Sequence, residues 1–190
     1  MNRPARLCVL ISGGGRTLLN LQDRIDDATL NAIIPLVIAS GPCAGVERAR
    51  ARGLQVEIIP GTIPATTLGS LLEQHTIDLV ILAGYLKLVR IPKGYEGRIL
   101  NIHPALLPKF GGAGMYGERV HAAVLAAGEP VSGCTVHLCD EAFDTGQILL
   151  QRTCPVLASD TPQTLAARVF ELEKEAYPRA IADFLRRLTP

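Results

Sequence analysis

Short, fully apolar segments alternate with helix-like segments through the first half of the chain. The apolar segments cover residues 7–11, 32–39, 55–59 and 79–83. Segments of this length and composition are typical of strands that are buried on both faces. Helical patterns separate them, beginning near Thr17 and covering residues 45–52 and 68–75. This alternation predicts an α/β fold with a mostly parallel, open, twisted sheet, right-handed crossovers and flanking helices.

The second half of the chain predicts a different kind of pairing. After a strand at 99–102 and a helix at 118–127, residues 131–138 and 148–156 read as two strands with no helix between them, so we expect them to be antiparallel. A helical pattern at 162–188 ends the chain. Two prolines should interrupt this plan: Pro35 favours an edge position or a late start of pairing, and Pro178 should kink or divide the last helix.

Length and charge restrict the function. The 190 residues predict one domain, 1–190, with a sizeable core. No apolar run approaches the ~20 residues that span a bilayer, and the first residues lack a signal-peptide pattern, so we expect no membrane association. Nineteen basic and eighteen acidic residues give a net charge of +1 without a basic block, which disfavours nucleic acid as a partner. An odd number of cysteines, five, favours reduced thiols and a cytoplasmic location.

One cluster invites comparison with metal sites. Cys134, His137 and Cys139 lie close together in the sequence. In a strand, however, Cys134 faces away from the other two side chains, and no fourth ligand is apparent. We therefore expect no metal, and we interpret Cys8, Cys134 and Cys139 as small apolar residues.

A glycine-rich turn, Ser12 to Gly15, follows the first predicted strand and precedes a helix. Strand, glycine turn and helix form an arrangement that binds phosphate through backbone N–H groups. A dinucleotide-binding fingerprint would need a further glycine where Leu18 stands, and its ribose-binding acid is replaced by Ser40. A nucleotide-triphosphate loop would need a lysine that is absent. A simple phosphate cradle and an ordinary tight turn both remain open.

A polar pair marks the end of the 99–102 strand. Asn101 and His103 are two residues apart, so in a strand both side chains leave the same face, and Pro104 ends the strand there. Ligands bind at this end of the strands in open α/β sheets. The alternative is that His103 is an ordinary polar residue. The apolar segment 84–89 could hold a flat ligand or merely pack, and the glycine-rich segment 109–114 resembles a lid.

Taken together, four motifs resemble those of the folate-dependent formyltransferases. The motifs are Ile-Ser-Gly-Gly-Gly at 11–15, Leu-Ala-Gly at 82–84, Asn-Ile-His-Pro-Ala-Leu-Leu-Pro at 101–108 and Asp-Thr-Gly at 144–146. The likeness runs along the whole chain. The predicted single domain and the glycine turn favour the branch of the family that acts in purine biosynthesis.

The resemblance implies a role for each matching position. It implies that His103 is the catalytic acid, that Asn101 is its partner, and that Asp144 raises the pKa of the histidine. Gly15, Arg16 and Thr17 match positions that hold a substrate phosphate, and Glu173 matches a carboxylate near a ribose. The matching folate-binding positions are Leu86, Lys87, Leu88, Val89, Asn101, Asp140 and Glu141.

The implied reaction is formyl transfer from the co-substrate 10-formyltetrahydrofolate to the amine of 5'-phosphoribosylglycinamide. The Asn101 amide and a protonated His103 would be donors to the developing oxyanion, and no metal or covalent intermediate is needed. Two departures from the family stand out. Arg16-Thr17 replaces a frequent Ser-Asn, and no Lys or Arg between Arg52 and Lys87 matches the arginine that often contacts the folate tail.

Several other activities stay open. Another N-formyltransferase acting on a small phosphorylated or sugar amine would share these motifs, as would a formyltetrahydrofolate hydrolase. The transfer-RNA formyltransferase is disfavoured by the balanced charge. A nucleotide-binding α/β protein without transferase activity is the alternative from a different class, and nicotinamide binding would support it. The sequence does not distinguish a monomer from a homodimer.

Overall fold

A computed structural model describes residues 3–188 of the chain. The strands are β1 (Ala5–Ile11), β2 (Ala32–Ala39), β3 (Val56–Ile58), β4 (Leu79–Leu82), β5 (Ile99–His103), β6 (Val131–Leu138) and β7 (Ile148–Pro155). The helices are α1 (Arg16–Asp26), α2 (Ala44–Ala51), α3 (Ala65–Gln74), α4 (Glu118–Ala126) and α5 (Pro162–Leu188). No helix in this part of the chain is both long enough and apolar enough to cross a bilayer.

The strands form one sheet in the order β3-β2-β1-β4-β5-β6-β7. Pairing is parallel from β3 to β5, and β6 and β7 are antiparallel to their neighbours. The predicted fold class is therefore confirmed. The chain reverses its direction of winding between β1 and β4, and such a switch point opens a crevice at the carboxyl ends of the strands.

Pro35 is not on an edge strand, because β2 lies between β1 and β3, so that alternative was wrong. The ladder is interrupted around this residue. Pairing of β2 with β3 begins only at Val37, and the register with β1 shifts between Arg6 and Cys8. The predicted late start of pairing is therefore found on the side of β2 that faces β3. Pro35 precedes this pairing, so its missing N–H costs no hydrogen bond to β3.

The helix α5 continues through Pro178 to Leu188, so the prediction that this proline divides the helix was wrong. Fully buried side chains lie on both sides of it, among them Val169 and Ile181. Their burial against the sheet outweighs the cost of about 3 kcal/mol that an interior proline imposes on a helix. Residues 84–89, predicted as a loop or short helix, form an irregular loop.

Two apolar cores explain why β1 is apolar from Leu7 to Ile11. Leu7, Val9 and Ile11 point into a core shared with α1, α2 and α5, whereas Cys8 and Leu10 point into a second core shared with α3. A strand covered by helices on both faces cannot alternate polar and apolar residues. The apolar interpretation of Cys8 agrees with its complete burial.

Tyr177 of α5 fastens this helix to the strands that carry the polar pair. Its ring is fully buried, and its hydroxyl lies 3.0 Å from the carbonyl oxygen of Leu82 and 2.9 Å from that of Leu100. The single hydroxyl hydrogen is shared between two carbonyls, one at the end of β4 and one next to Asn101 in β5. The helix thereby fixes the spacing of these two strand ends.

We predict that Tyr177→Phe lowers the free energy of unfolding by about 1–2 kcal/mol, because both carbonyls lose their donor in a dry interior. The measurement is the midpoint of urea unfolding at constant m-value. Tyr116→Phe is the control, since the Tyr116 ring is 40% exposed. An equal midpoint for Tyr177→Phe and the control would show that the hydroxyl does not stabilise the fold.

Candidate active site

A cavity of about 610 Å³ opens at the carboxyl ends of β1, β4 and β5. Its volume is that of a typical site for a small molecule or cofactor. The wall brings together most residues that the sequence singled out, which are Gly15, Arg16, Thr17, Leu86, Lys87, Leu88, Val89, Asn101, His103, Asp140, Asp144 and Glu173. Glu141 is exposed and does not line the cavity, so its predicted place in the folate site is not supported by the geometry.

The polar pair on β5 faces this cavity as predicted. Asn101 and His103 lie on one face of the strand, and the antiparallel neighbour β6 places His137 opposite Asn101 and Thr135 opposite His103. His103 is 3% exposed. The strand therefore presents a half-buried amide and a buried imidazole at the cavity.

Asp144 gathers the polar groups of the site around one carboxylate. Oδ2 accepts a hydrogen bond of 3.0 Å from the backbone N–H of Gly112, and Oδ1 accepts one of 3.3 Å from Asn101 Nδ2. His103 Nδ1 and His137 Nε2 each lie 3.4 Å from a carboxylate oxygen. Burial raises the pKa of Asp144, but these hydrogen bonds and imidazoles outweigh it and hold the pKa below its usual range. The residue is a carboxylate at neutral pH.

His103 is held between two oxygen atoms. Its Nε2 lies 2.8 Å from the carbonyl oxygen of Phe110, and its Nδ1 faces Asp144. Burial lowers the pKa of His103 below the ordinary value; the Asp144 carboxylate and the Phe110 carbonyl act in the raising direction, and His137 adds to the lowering. Asp144 thus acts in the predicted direction without prevailing. Burial is the larger influence on this pKa, and the protonated His103 that the family resemblance implies stays a prediction.

His137 is a site residue that sequence reasoning considered only as a metal ligand. Its Nδ1 lies 2.8 Å from the carbonyl oxygen of Leu138, which fixes the ring hydrogen on that nitrogen in the neutral form. Nε2 then accepts from the Asn101 amide at 3.1 Å. The alternation of side chains along the predicted β6 strand, paired with the strand that carries Asn101, could have indicated that His137 contacts this amide. Cys134, by contrast, points into the main core, and in residues 3–188 no three His, Cys, Asp or Glu side chains form a metal-binding group.

A buried hydroxyl organises the turn that follows His103. Thr135 Oγ1 donates to the carbonyl of Ala105 at 2.6 Å and accepts from the N–H of Leu107 at 3.0 Å. Gln151, reaching across from β7, donates from Nε2 to both this hydroxyl and the carbonyl of Leu107 at 3.0 Å. The Thr135 hydroxyl thereby connects β6 and β7 to the backbone of Ala105 and Leu107, which follows His103.

The glycine turn lies against the first turn of α2. The Gly45 N–H donates to the carbonyl of Gly13 at 3.0 Å, and Arg48 Nη1 donates to that of Gly14 at 2.6 Å. Gly15 has φ +73°, and a Cβ there would lie 2.8 Å from Cα of Gly45. Glycine is thus required at this position by both conformation and space. In the described part of the chain, residues 3–188, no side chain caps α1, so its first N–H groups remain available at the cavity.

Ser12 connects the glycine turn to the 84–89 loop. Its hydroxyl accepts from the N–H of Leu86 at 2.9 Å and lies 2.7 Å from the Ser40 hydroxyl. Its own N–H donates to the carbonyl of Gly84 at 3.1 Å. Ser40, which excluded a dinucleotide fingerprint, therefore supports a bridge between two parts of the cavity wall.

Apolar groups are exposed where the 84–89 loop meets the loop that carries Asp144. The Leu86 side chain is 44% exposed and the Phe143 side chain 36% exposed, both at the cavity. Asp140 Oδ1 accepts from the N–H of Ala142 at 3.1 Å and from the Thr145 hydroxyl at 2.6 Å, so this acid holds its own loop in shape. A flat, partly apolar ligand would cover the exposed rings and methyl groups.

Glu173 of α5 contributes an unusual acid to the other end of the cavity. Burial raises its pKa to about 7, while the nearby charge of Arg16 acts to lower it. A carboxyl group with this pKa exchanges a proton near neutral pH, and perturbed groups of this kind gather at functional sites.

Comparisons with known proteins agree with this geometry. The formyl transferase family profile matches residues 5–181. The phosphoribosylglycinamide formyltransferase of the Arabidopsis thaliana chloroplast is 40% identical over 189 residues, covering 94% of this chain. The chain spans just under two thirds of that plant protein, 65% of its length.

This chain also superposes on solved structures, and each superposition covers most of this chain and most of the other one. Glycinamide ribonucleotide transformylase 1 of Symbiobacterium toebii superposes with a TM-score of 0.87 at 36% identity, over 97% of this chain and 89% of that one. The phosphoribosylglycinamide formyltransferase of Brucella melitensis gives 0.85 at 36% identity, over 96% of each chain. Because profile and structures match over nearly the whole length, the chain belongs to the formyl transferase family, as its motifs predicted.

Proposed function

We propose that the protein transfers the formyl group of 10-formyltetrahydrofolate to the amine of 5'-phosphoribosylglycinamide, a reaction of purine biosynthesis. The observation that carries this proposal is one cavity in which a glycine turn, an Asn–His–Asp group and an apolar loop share a wall. Each of these three parts suits one portion of the two substrates. The names of the similar proteins, phosphoribosylglycinamide formyltransferase and glycinamide ribonucleotide transformylase, support the same acceptor.

The folate donor fits the apolar end of the cavity. Residues 86–89 would hold the pterin through their backbone, since the ring carries donors and acceptors along its edge. Leu86 and Phe143 would cover its faces, with Asp140 supporting the opposite loop. Lys87 is exposed at the same wall. No metal takes part in this assignment.

The acceptor fits the end formed by α1 and α5. The N–H groups of Gly15, Arg16 and Thr17 would bind its phosphate, because a helix N-terminus with free donors attracts an anion. Glu173 would accept hydrogen bonds from the ribose hydroxyls. In this orientation the glycinamide amine extends toward His103.

The Asn101 amide is the donor for the developing oxyanion. When the amine attacks the formyl carbon, negative charge builds on the formyl oxygen, and a preorganised donor in a water-poor site stabilises it. Asp144 and His137 hold the Asn101 nitrogen by contacts of 3.3 and 3.1 Å. The formyl oxygen would take one of these two hydrogens.

His103 transfers the proton. Burial lowers the pKa of His103, so the imidazole would accept the proton that the attacking nitrogen loses and would release it again. The resulting imidazolium has an oxygen acceptor at each nitrogen, the Asp144 carboxylate and the Phe110 carbonyl. It then returns the proton to N10 of the folate as the carbon–nitrogen bond breaks and the formyl carbonyl reforms on the product.

The decisive experiment mixes the protein with 10-formyltetrahydrofolate and follows tetrahydrofolate release with and without candidate amines. Release that depends on phosphoribosylglycinamide supports the proposal. Release without any amine would identify a hydrolase, and release only with a sugar amine would identify another N-formyltransferase. A cytoplasmic location and a monomeric or homodimeric state remain predictions from sequence.

We predict that Asp144→Asn lowers kcat by about 10²-fold or more with a much smaller change in KM, because the imidazolium loses its counter-charge. The pKa of His103, already lowered by burial, should fall further in the variant. The pH at which protonation of His103 changes kcat should therefore be lower than in the wild type. The measurement combines a pH–rate profile with an NMR titration of His103. An unshifted histidine pKa, or a loss confined to KM, would contradict the role.

Gly15→Val should weaken ribonucleotide binding far more than folate binding. A Cβ at this position meets Gly45 and moves the N–H groups of the turn away from the phosphate. Direct binding of each substrate is the measurement. Gly53→Val is the matched control, since Gly53 also has a positive φ, +72°, but open space around it and a place away from the cavity. Equal losses for both substrates would refute the phosphate assignment.

Glu173→Gln tests the protonation of the buried carboxyl. Because the folded protein raises this pKa from 4.5 to about 7, the carboxyl's contribution to stability is full below pH 4.5 and is lost as pH rises through 7. The unfolding free energy of the variant relative to wild type should therefore rise by up to about 3 kcal/mol between pH 4.5 and 8. Glu175→Gln, exposed on the same helix, is the control. A difference that does not change with pH would show an ordinary carboxyl.

A further inference from the structure

An arginine and an aromatic ring from different elements meet at the acceptor end of the cavity. Arg16 is the first residue of α1, and its Cζ lies 4.2 Å from the centre of the Phe170 ring of α5. Both residues line the cavity beside the glycine turn. Neither the phosphate assignment nor the family motifs involve Phe170.

The guanidinium is held in place without using its hydrogen-bond donors. Within residues 3–188, the Arg16 guanidinium makes no hydrogen bond and no ion pair within 4 Å. A planar guanidinium stacks on an aromatic face and leaves the N–H groups on its edge free. The pair therefore presents an ordered cation with unused donors, which suits an anion with several oxygen atoms.

A buried acid gives this cation a second neighbour. Glu173 follows Phe170 by three residues on α5, so the two side chains share a helix face, and both line the cavity. The electrostatic influence of Arg16 reaches this carboxyl. The ring contact draws the exposed Arg16 side chain toward α5, and without this contact the side chain would be free to extend into solvent.

We propose that Arg16 and Phe170 form a specificity determinant that selects a phosphorylated acceptor amine over the same amine without its phosphate. This proposal rests on the proposed function for the identity of the acceptor. Phe170 acts as a positioning residue, because it orders the guanidinium that contacts the phosphate. The glycine turn supplies uncharged donors to the same group, and the pair adds the charge.

The kinetic test compares phosphoribosylglycinamide with its dephosphorylated riboside at low salt. Phe170→Leu should raise KM for the ribonucleotide about five-fold, with kcat and the KM for folate within two-fold of wild type. Phe170→Tyr should restore the wild-type KM, because it keeps an aromatic face. Arg16→Lys should resemble Phe170→Leu, since an ammonium does not stack in the same way. None of the three variants should affect the riboside.

Two outcomes would overturn the proposal. Equal KM increases for the ribonucleotide and the riboside would mean that Phe170 contacts the sugar rather than orders the cation. An unchanged ribonucleotide KM in Arg16→Ala at low salt would mean that the guanidinium is only solvated.

A second measurement separates this proposal from the assignment of the reaction. Inorganic phosphate should raise the melting temperature of the wild-type protein, and this rise should be smaller in Phe170→Leu and nearly absent in Arg16→Ala. If phosphate stabilises the protein in this pattern while no formyl transfer occurs, the anion site stands and the proposed function fails. Equal stabilisation of the three proteins by phosphate would overturn the role of Arg16 and Phe170 in binding the anion.

Discussion

The arrangement of the site depends on one buried carboxylate and its need for donors. Asp144 lies in the segment between β6 and β7 at φ +60°. It accepts hydrogen bonds from Asn101 of β5 and from the glycine-rich segment after β5, and His137 of β6 lies 3.4 Å away. An ionised carboxylate away from water must be surrounded by hydrogen bonds or positive charge. The carboxylate therefore fixes the positions of β5, of β6 and of the glycine-rich segment around it. The antiparallel pairing of β5 with β6 brings Asn101 and His137 together beside this carboxylate.

Burial shifts the pKa of one titratable group at each end of the cavity, downward for His103 and upward for Glu173. Near Asp144, burial lowers the pKa of His103, against the direction in which the neighbouring carboxylate acts. Near Arg16, burial raises the pKa of Glu173 to about 7, against the direction in which the arginine acts. At both ends of the cavity, burial has a larger effect on the pKa than the nearby opposite charge.

Sequence patterns predicted the sheet, the position of the polar pair and most of the cavity wall, because these depend on local periodicity and on strand ends. They failed where distant burial decides the outcome. Pro178 stays inside a continuous helix because residues on both sides pack in the core, and burial lowers the pKa of His103 against the direction in which Asp144 acts. His137 was considered only beside the nearby cysteines, although its partner is across the sheet at Asn101. Phe170 carries no recognisable motif, since its contact with Arg16 forms only when α1 and α5 meet.

Ser12 has a consequence for how such an enzyme can diversify. Its hydroxyl and backbone tie the turn assigned to one substrate to the loop assigned to the other, with Ser40 behind them. The two halves are thus not interchangeable modules. A loop transplanted from a relative with another acceptor would retain its register only if it also presented an N–H at the position of Leu86. A change of acceptor preference in this fold is therefore constrained by the 84–89 loop, which is assigned to the folate. The constraint acts through Ser12, a small side chain that touches neither substrate in the proposed arrangement.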